Sequence, residues 1–166
     1  MQFNRTIFNI SPFNVILADS YSYLGLQLLK CANWAEGPNH GGIATEYTVD
    51  VMWDYVSEYE NINGASDYRK AFIKNFGNTS TGACVIRPVI TAPNALTGRL
   101  NCIIASGTAS DNMVNKPEDE SFGASLSVTI EPGETKPIWL KRTITAGGSP
   151  ANSYLGIGFN LTVSES

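Results

Sequence analysis

The sequence predicts an all-β chain: an antiparallel β-sandwich, immunoglobulin-like or jelly-roll-like, with an N-terminal extension. Three observations predict it. Gly, Asn, Ser and Thr make up about a third of the 166 residues, which suits turns and the solvent faces of strands and depresses helix content. Apolar and polar residues alternate with a period of two in several separate stretches. Short turn-rich gaps divide these stretches, with no long helical pattern between them to carry parallel crossovers.

Residues 1–44 read either as an N-terminal arm or as additional strands, and 45–166 as the sandwich domain. Residues 13–18 fit a strand, and 23–31 fit a short helix or a buried strand, with Gly25 weakening the helix. Residues 36–42 are a loop. Tyr47, Val49, Val51, Trp53 and Tyr55 alternate with Thr48, Asp50, Met52 and Asp54, the pattern of a half-buried strand, and Asn63-Gly64 signals a turn after it. Strands follow over 68–75, 84–90 and 100–105, divided by the turn-rich stretches 76–80 and 92–94. The stretch 106–123 is long enough to be a mobile excursion or one ordered by a partner. Leu126, Val128 and Ile130 then lead into Glu131-Pro132-Gly133-Glu134. Here proline presets φ and glycine accepts a positive φ, as a type II turn requires. The chain returns through Ile138, Leu140, Arg142 and Ile144, and a closing strand alternates Leu155, Ile157, Phe159, Leu161 and Val163 with small or polar residues.

Charge narrows the classes of partner. Only 16% of residues are charged and the net charge is −4, so the basic stripe that phosphate binding needs is missing and no nucleic acid partner is expected. Residues 1–64 carry a balance of −5 and residues 65–166 one of +1, so the acidic excess lies entirely in the first segment. No run reaches the ~18 apolar residues of a membrane span, and residues 1–5 do not open a secretory signal. Cys31, Cys84 and Cys102 have no metal-type spacing and read as reduced core thiols of a protein made in a cytoplasm.

Candidate chemistry is sparse. The single histidine, His40, lies in a Gly-Pro-Asn-His-Gly-Gly loop with no carboxylate near it in sequence, which reads as a loop residue without catalytic duty. A cysteine hydrolase would pair Cys84 or Cys102 with His40, but both cysteines sit in apolar strands, where burial keeps a thiol protonated. Asp50, Asp54 and Glu58 would share one face of the 47–55 strand. They read as its wet face, with a glycan-hydrolysing carboxylate pair built on Asp54 as the alternative. Glu118-Asp119-Glu120 lacks the spaced oxygens of a calcium loop. Arg69, Lys70, Lys74, Lys141 and Arg142 read as a solvated sheet face, and Trp53 and Trp139 as core. Neither metal nor cofactor is expected, and no catalytic, cofactor-binding or metal-binding residue is assigned.

Two segments carry a family resemblance. Tyr68-Arg69-Lys70-Ala71-Phe72-Ile73-Lys74-Asn75, with the strand from Ala83 to Pro88, resembles the opening of an immunoglobulin-like module in tailed-bacteriophage virion proteins. Ile130-Glu131-Pro132-Gly133-Glu134 and Ile138-Trp139-Leu140-Lys141-Arg142-Thr143 resemble the end of the same module. The resemblance spans roughly 67–163 and implies a non-enzymatic structural protein of the virion. The expected form is a capsid decoration or cement protein, bound as a homo-oligomer to the major capsid protein or another virion protein. Residues 1–44 and 106–123 would be the contact segments. The alternative is a tail or baseplate accessory protein with a carbohydrate-binding face using Trp34, Trp53 or exposed tyrosines.

Overall fold

A computed structural model describes residues 6–10, 15–17, 25–35, 37–91, 96–148 and 158–165. Among these described residues, ten strands form two antiparallel five-stranded sheets, the all-β sandwich that the alternating stretches predict. In chain order they are β1 (Thr6–Ile10), β2 (Val15–Leu17), β3 (Leu26–Asn33), β4 (Gly41–Thr48), β5 (Ala65–Asn75), β6 (Cys84–Thr91), β7 (Leu100–Ser106), β8 (Leu126–Val128), β9 (Thr135–Ile144) and β10 (Gly158–Glu165). Sheet 1 runs β2-β1-β10-β6-β8 and sheet 2 runs β4-β3-β5-β9-β7. The 92–94 turn and the first residues of the closing strand lie outside the described residues.

The N-terminal strands belong to both sheets. β1 pairs with β10 from Thr6 opposite Val163 to Ile10 opposite Phe159, and β3 lies between β4 and β5. The 23–31 stretch, as far as it is described, is strand: Leu26 and Leu28 face the core between the sheets, while Leu29 and Cys31 pack with Phe72 on the far side of sheet 2. Being buried on both faces removes the alternation that marks a strand, which is why helix and strand look alike there.

The inter-sheet core follows period two. Phe159, Leu161 and Val163 of β10 and Cys84 and Ile86 of β6 meet Ala71, Ile73, Ile138, Leu140 and Ile104 of sheet 2. Each such side chain contributes about 1.5–3 kcal/mol by leaving water. The turn into β9 is as expected: Gly133 has φ +79°, and Glu134 N–H donates to Glu131 O at 2.9 Å.

Two stretches depart from expectation. After Thr48 the chain leaves sheet 2, and residues 49–57 run across the end of the sandwich. Val49, Met52, Trp53 and Val56 are buried, while Tyr47 and Tyr55 are exposed. Of the alternating stretch 47–55, only residues 47 and 48 belong to a strand, the end of β4. A short helix, α1 (Glu58–Asn63), follows. Ser57 caps it by accepting from Glu60 N–H while Glu60 reaches back to Ser57, so the Ser-x-x-Glu signal was present in the sequence. The turn signalled by Asn63-Gly64 is the end of this helix, where Gly64 takes φ +78° before β5 begins.

The 106–123 stretch, expected to be an excursion, is held by its own chain. It lies on the outer face of sheet 2: Gly42 N–H donates to Asp111 O at 2.7 Å, Met113 N–H to His40 O at 2.9 Å, and Ile104 bridges Gly123. Sheet 2 is thus covered on both faces, by sheet 1 and by loops.

Candidate functional site

Two polar constellations flank sheet 2, and both are built on the β5–β9 pair. On the core side, Asp67 lies directly opposite Arg142, and Arg69 opposite Leu140. Arg69 follows the same face of β5 as Ala71 and Ile73, and Arg142 that of β9 as Leu140, so both guanidiniums continue the core face to its end. There residues 49–57 cover them, leaving Arg69 6% and Arg142 2% exposed. A buried guanidinium must be paired. Arg142 gives Nε (3.0 Å) and Nη2 (2.6 Å) to Asp67 Oδ2, gives Nη1 to Asp54 O (2.8 Å), and lies over the Trp53 ring. Arg69 donates to Trp34 O at 2.8 Å and to Asp54 Oδ2 at 3.3 Å, with its guanidinium over the Trp34 ring. The expectation of a solvated basic face is corrected for Arg69, Lys70 and Arg142: all three are buried ion-pair partners.

Around this pair the surface is grooved by three pockets, of about 290, 360 and 200 Å³. The first is lined by Trp34, Asp50, Asp54 and Arg69, and the second by Asp54, Tyr55, Ser57, Glu60, Asp67 and Arg142. The third is lined by Pro38, His40, Tyr68 and Met113 of the outer-face layer together with Asp67. Asp54 is common to the first two pockets and Asp67 to the last two. The carboxylates do not share one strand face as expected: Asp50 pairs with Lys30 at 2.8 Å, Asp54 with Arg69, and Glu58 stands on α1. The hydrogen bond from Lys30 holds the Asp50 carboxyl below its usual range. Trp53, expected in the core, is buried there, so of the tryptophans named for a carbohydrate face only Trp34 lines one of these pockets.

On the outer face the central groups are Lys70 and His40. Lys70 alternates with Ala71 onto the side of β5 away from sheet 1, where the loops bury it completely. Its ammonium donates to Gly42 O (2.9 Å), Thr108 O (2.8 Å) and Asp111 O (3.0 Å) and pairs with the Asp111 carboxylate. Asp111 Oδ2 in turn accepts from Thr108 N–H at 2.9 Å. His40 is 2% exposed and well oriented, although its glycine-rich loop suggested little orientation. Lys70 N–H points at its Nε2 at 2.8 Å, which assigns the ring proton to Nδ1, 3.3 Å from Trp34 O.

The thiols follow from the same layering. Cys84 and Cys102 face the inter-sheet core as buried thiols, as their apolar strands predict, on the opposite side of sheet 2 from His40, so neither pairs with it. Cys31 is the thiol beside His40, with Sγ 3.9 Å from Nε2, but that lone pair is already taken by Lys70 N–H. Burial raises the pKa of all three, Cys102 to about 12, so they remain protonated thiols. Asp119 binds Tyr68 Oη (2.7 Å) and Lys141 (3.2 Å), and no cluster of three or more metal-ligating side chains occurs among the described residues.

His40 makes the fold sensitive to acid. Burial, reinforced by the Arg69 charge, lowers its pKa from the ordinary 6.5. The unfolded chain therefore takes up this proton more readily than the folded one. Stability that is complete above about pH 6.5 falls as the pH drops, by about 1.4 kcal/mol per unit until the folded imidazole also protonates. Urea unfolding at about pH 7.5, 6.5 and 5.5 is expected to show this decline, and His40→Gln to flatten it. Parallel profiles for the two proteins would remove His40 as the cause.

Comparison with protein-family models, with curated proteins and with solved structures finds no match.

Proposed function

We propose that this chain is a non-catalytic structural protein of a tailed-phage particle, a decoration or cement protein seated as a homo-oligomer on the major capsid lattice. One observation carries the reading. The segments that bear the resemblance lie some 60 residues apart in sequence, yet Tyr68–Asn75 and Ile138–Thr143 are paired neighbours at the centre of sheet 2. The 130–134 turn leads directly into the second of them. The third resembling strand, 83–88, lies in sheet 1 as part of β6, and its Cys84 and Ile86 share the inter-sheet core with Ala71, Ile73, Ile138 and Leu140, so the resembling residues contribute to both layers of one core.

The use made of reactive groups supports the same reading. His40 and Lys70 fasten loops to a sheet, which gives a pre-ordered surface suited to repeated contacts with little ordering cost on docking. The exposed apolar side chains Ile43 and Val114 project from the two segments that this latch holds together, β4 and the 111–115 turn. Co-sedimentation of the purified chain with heads and with tails of the phage that encodes it tests the proposal. Saturable binding to heads is the expected result. Binding to tails alone transfers the role to the tail or baseplate, and binding to neither overturns it.

A further inference from the structure

A primary amine held against a carboxyl group, in a place closed to water, has both reactants of an amide bond in position. Lys70 and Asp111 are such a pair. The other lysine pairs, Lys30–Asp50, Lys136–Glu134 and Lys141–Asp119, have carboxylates that are a third or more exposed. Lys70 Nζ instead touches Asp111 Oδ1 with both side chains buried, the lysine completely. We propose that the two condense in the folded chain into an isopeptide bond between Lys70 Nζ and Asp111 Cγ, releasing one water. The inference is independent of where the chain docks.

The two carboxylate oxygens are held differently, and the difference assigns their roles. Oδ2 accepts Thr108 N–H at 2.9 Å, whereas Oδ1 is buried and, apart from its contact with Nζ, has no partner among the described residues. Oδ1 is therefore the leaving oxygen. The Thr108 N–H is placed to stabilise the negative charge that develops on Oδ2 as Nζ attacks. One ammonium proton first passes to Oδ1, which cancels both buried charges. The lone pair freed on Nζ forms the bond to Cγ. A second proton then moves from Nζ to Oδ1, the Cγ–Oδ1 bond breaks, and the oxygen departs as water with both protons. The third hydrogen remains as the amide N–H, with the carbonyl oxygens around Nζ as its acceptors. Every atom of the released water comes from the pair, so no co-reactant is needed.

The surroundings fix the approach. Gly42 O, Thr108 O and Asp111 O hold Nζ at 2.8–3.0 Å, and the Phe72 ring centroid lies 4.9 Å from it. The Asp111 backbone is tied in turn to Gly42 N–H at 2.7 Å. Fixing amine and carboxyl in one geometry replaces a bimolecular encounter, and effective molarities of about 10⁵–10⁸ M are reached in well-oriented intramolecular reactions. Exclusion of water also hinders hydrolysis of the product. The bond joins the outer-face loop to the central strand of sheet 2. The ion pair is the reactant, so a substitution at either position removes pair and bond together.

Intact-mass spectrometry of the unfolded wild-type chain tests the bond. The expected mass is one water below that of the sequence, and protease digestion is expected to yield a branched peptide joining residue 70 to residue 111. Lys70→Arg keeps the cation but has no primary amine, and Asp111→Ala has no carboxyl, so both are expected at full mass. A wild-type chain of full mass, whose Lys70 is acetylated once unfolded, holds an ion pair only and overturns the proposal. So does a water loss confined to a single peptide, the mark of an aspartyl succinimide, or one that persists in Lys70→Arg.

Discussion

Lys70→Met is expected to lower folding stability by about 3–5 kcal/mol, the cost of breaking a buried ion pair by removing one partner. The ammonium is fully buried and meets three carbonyl oxygens as well as the Asp111 carboxylate. Methionine fills much of the space but donates nothing. The Asp111 carboxylate, 5% exposed, is left as an uncompensated charge, and the three carbonyls lose their donor. Because those carbonyls belong to residues 42, 108 and 111, the loops over sheet 2 loosen together. Adding Asp111→Leu removes the stranded charge and is expected to restore part of the loss, not all of it. Urea denaturation of the three proteins measures this. A loss below about 1 kcal/mol for Lys70→Met would mean that desolvation of the ammonium cancels its contacts.

Trp139→Ala is expected to cost a similar 3–5 kcal/mol, through a cavity. Trp139 is fully buried, lies opposite Lys70 of β5 and Ala105 of β7, and meets the His40 ring edge-on with centroids 6.0 Å apart. The loop packs so tightly on it that a Cβ on Gly107 would come within 2.7 Å of the indole. Backbone on one side and loop on the other leave little room for collapse, which puts the cost at the upper end of that range. For a chain of this size the melting temperature should fall on the order of 10 °C. Trp139→Phe retains most of the ring and removes an indole N–H that has no hydrogen-bond partner among the described residues, so its loss is expected to be clearly smaller. Equal losses for the two substitutions would show that the cavity is not the cause.

Both residues show where sequence reasoning reaches and where it ends. Tyr68, Lys70 and Phe72 alternate with Arg69, Ala71 and Ile73, so the strand and its two faces are legible from spacing alone. The burial of the Lys70 face is not, because the covering loops come from residues 37–42 and 106–123, and nothing local to β5 marks their return. His40 is similar: its glycines suggest freedom, yet contacts from Trp34 and Lys70 fix both ring nitrogens. Residues 47–55 misled for the opposite reason. Their alternation is genuine, but a period of two is also produced by chance in a stretch that crosses the end of a sandwich and buries Val49, Met52, Trp53 and Val56 at irregular spacing. The pockets were visible only in part. Trp34 and Asp54 stood out by residue type, whereas Asp67, Glu60 and Arg142 belong to them through strand register and a helix cap.

The sequence by itself determined the class of this protein: an all-β chain of short strands, with the Glu131–Glu134 turn and the inward side chains of β6, β9 and β10 in place. These follow from local rules, the two-residue repeat of a strand and the φ values that proline and glycine permit. Tertiary structure alone decided which strands became neighbours, that sheet 2 is covered on both faces, and that its lysine and arginines are buried beside carboxylates. Those outcomes depend on segments distant in the chain meeting at one place. A charged side chain has the same local pattern whether water or a partner's carboxylate finally solvates it.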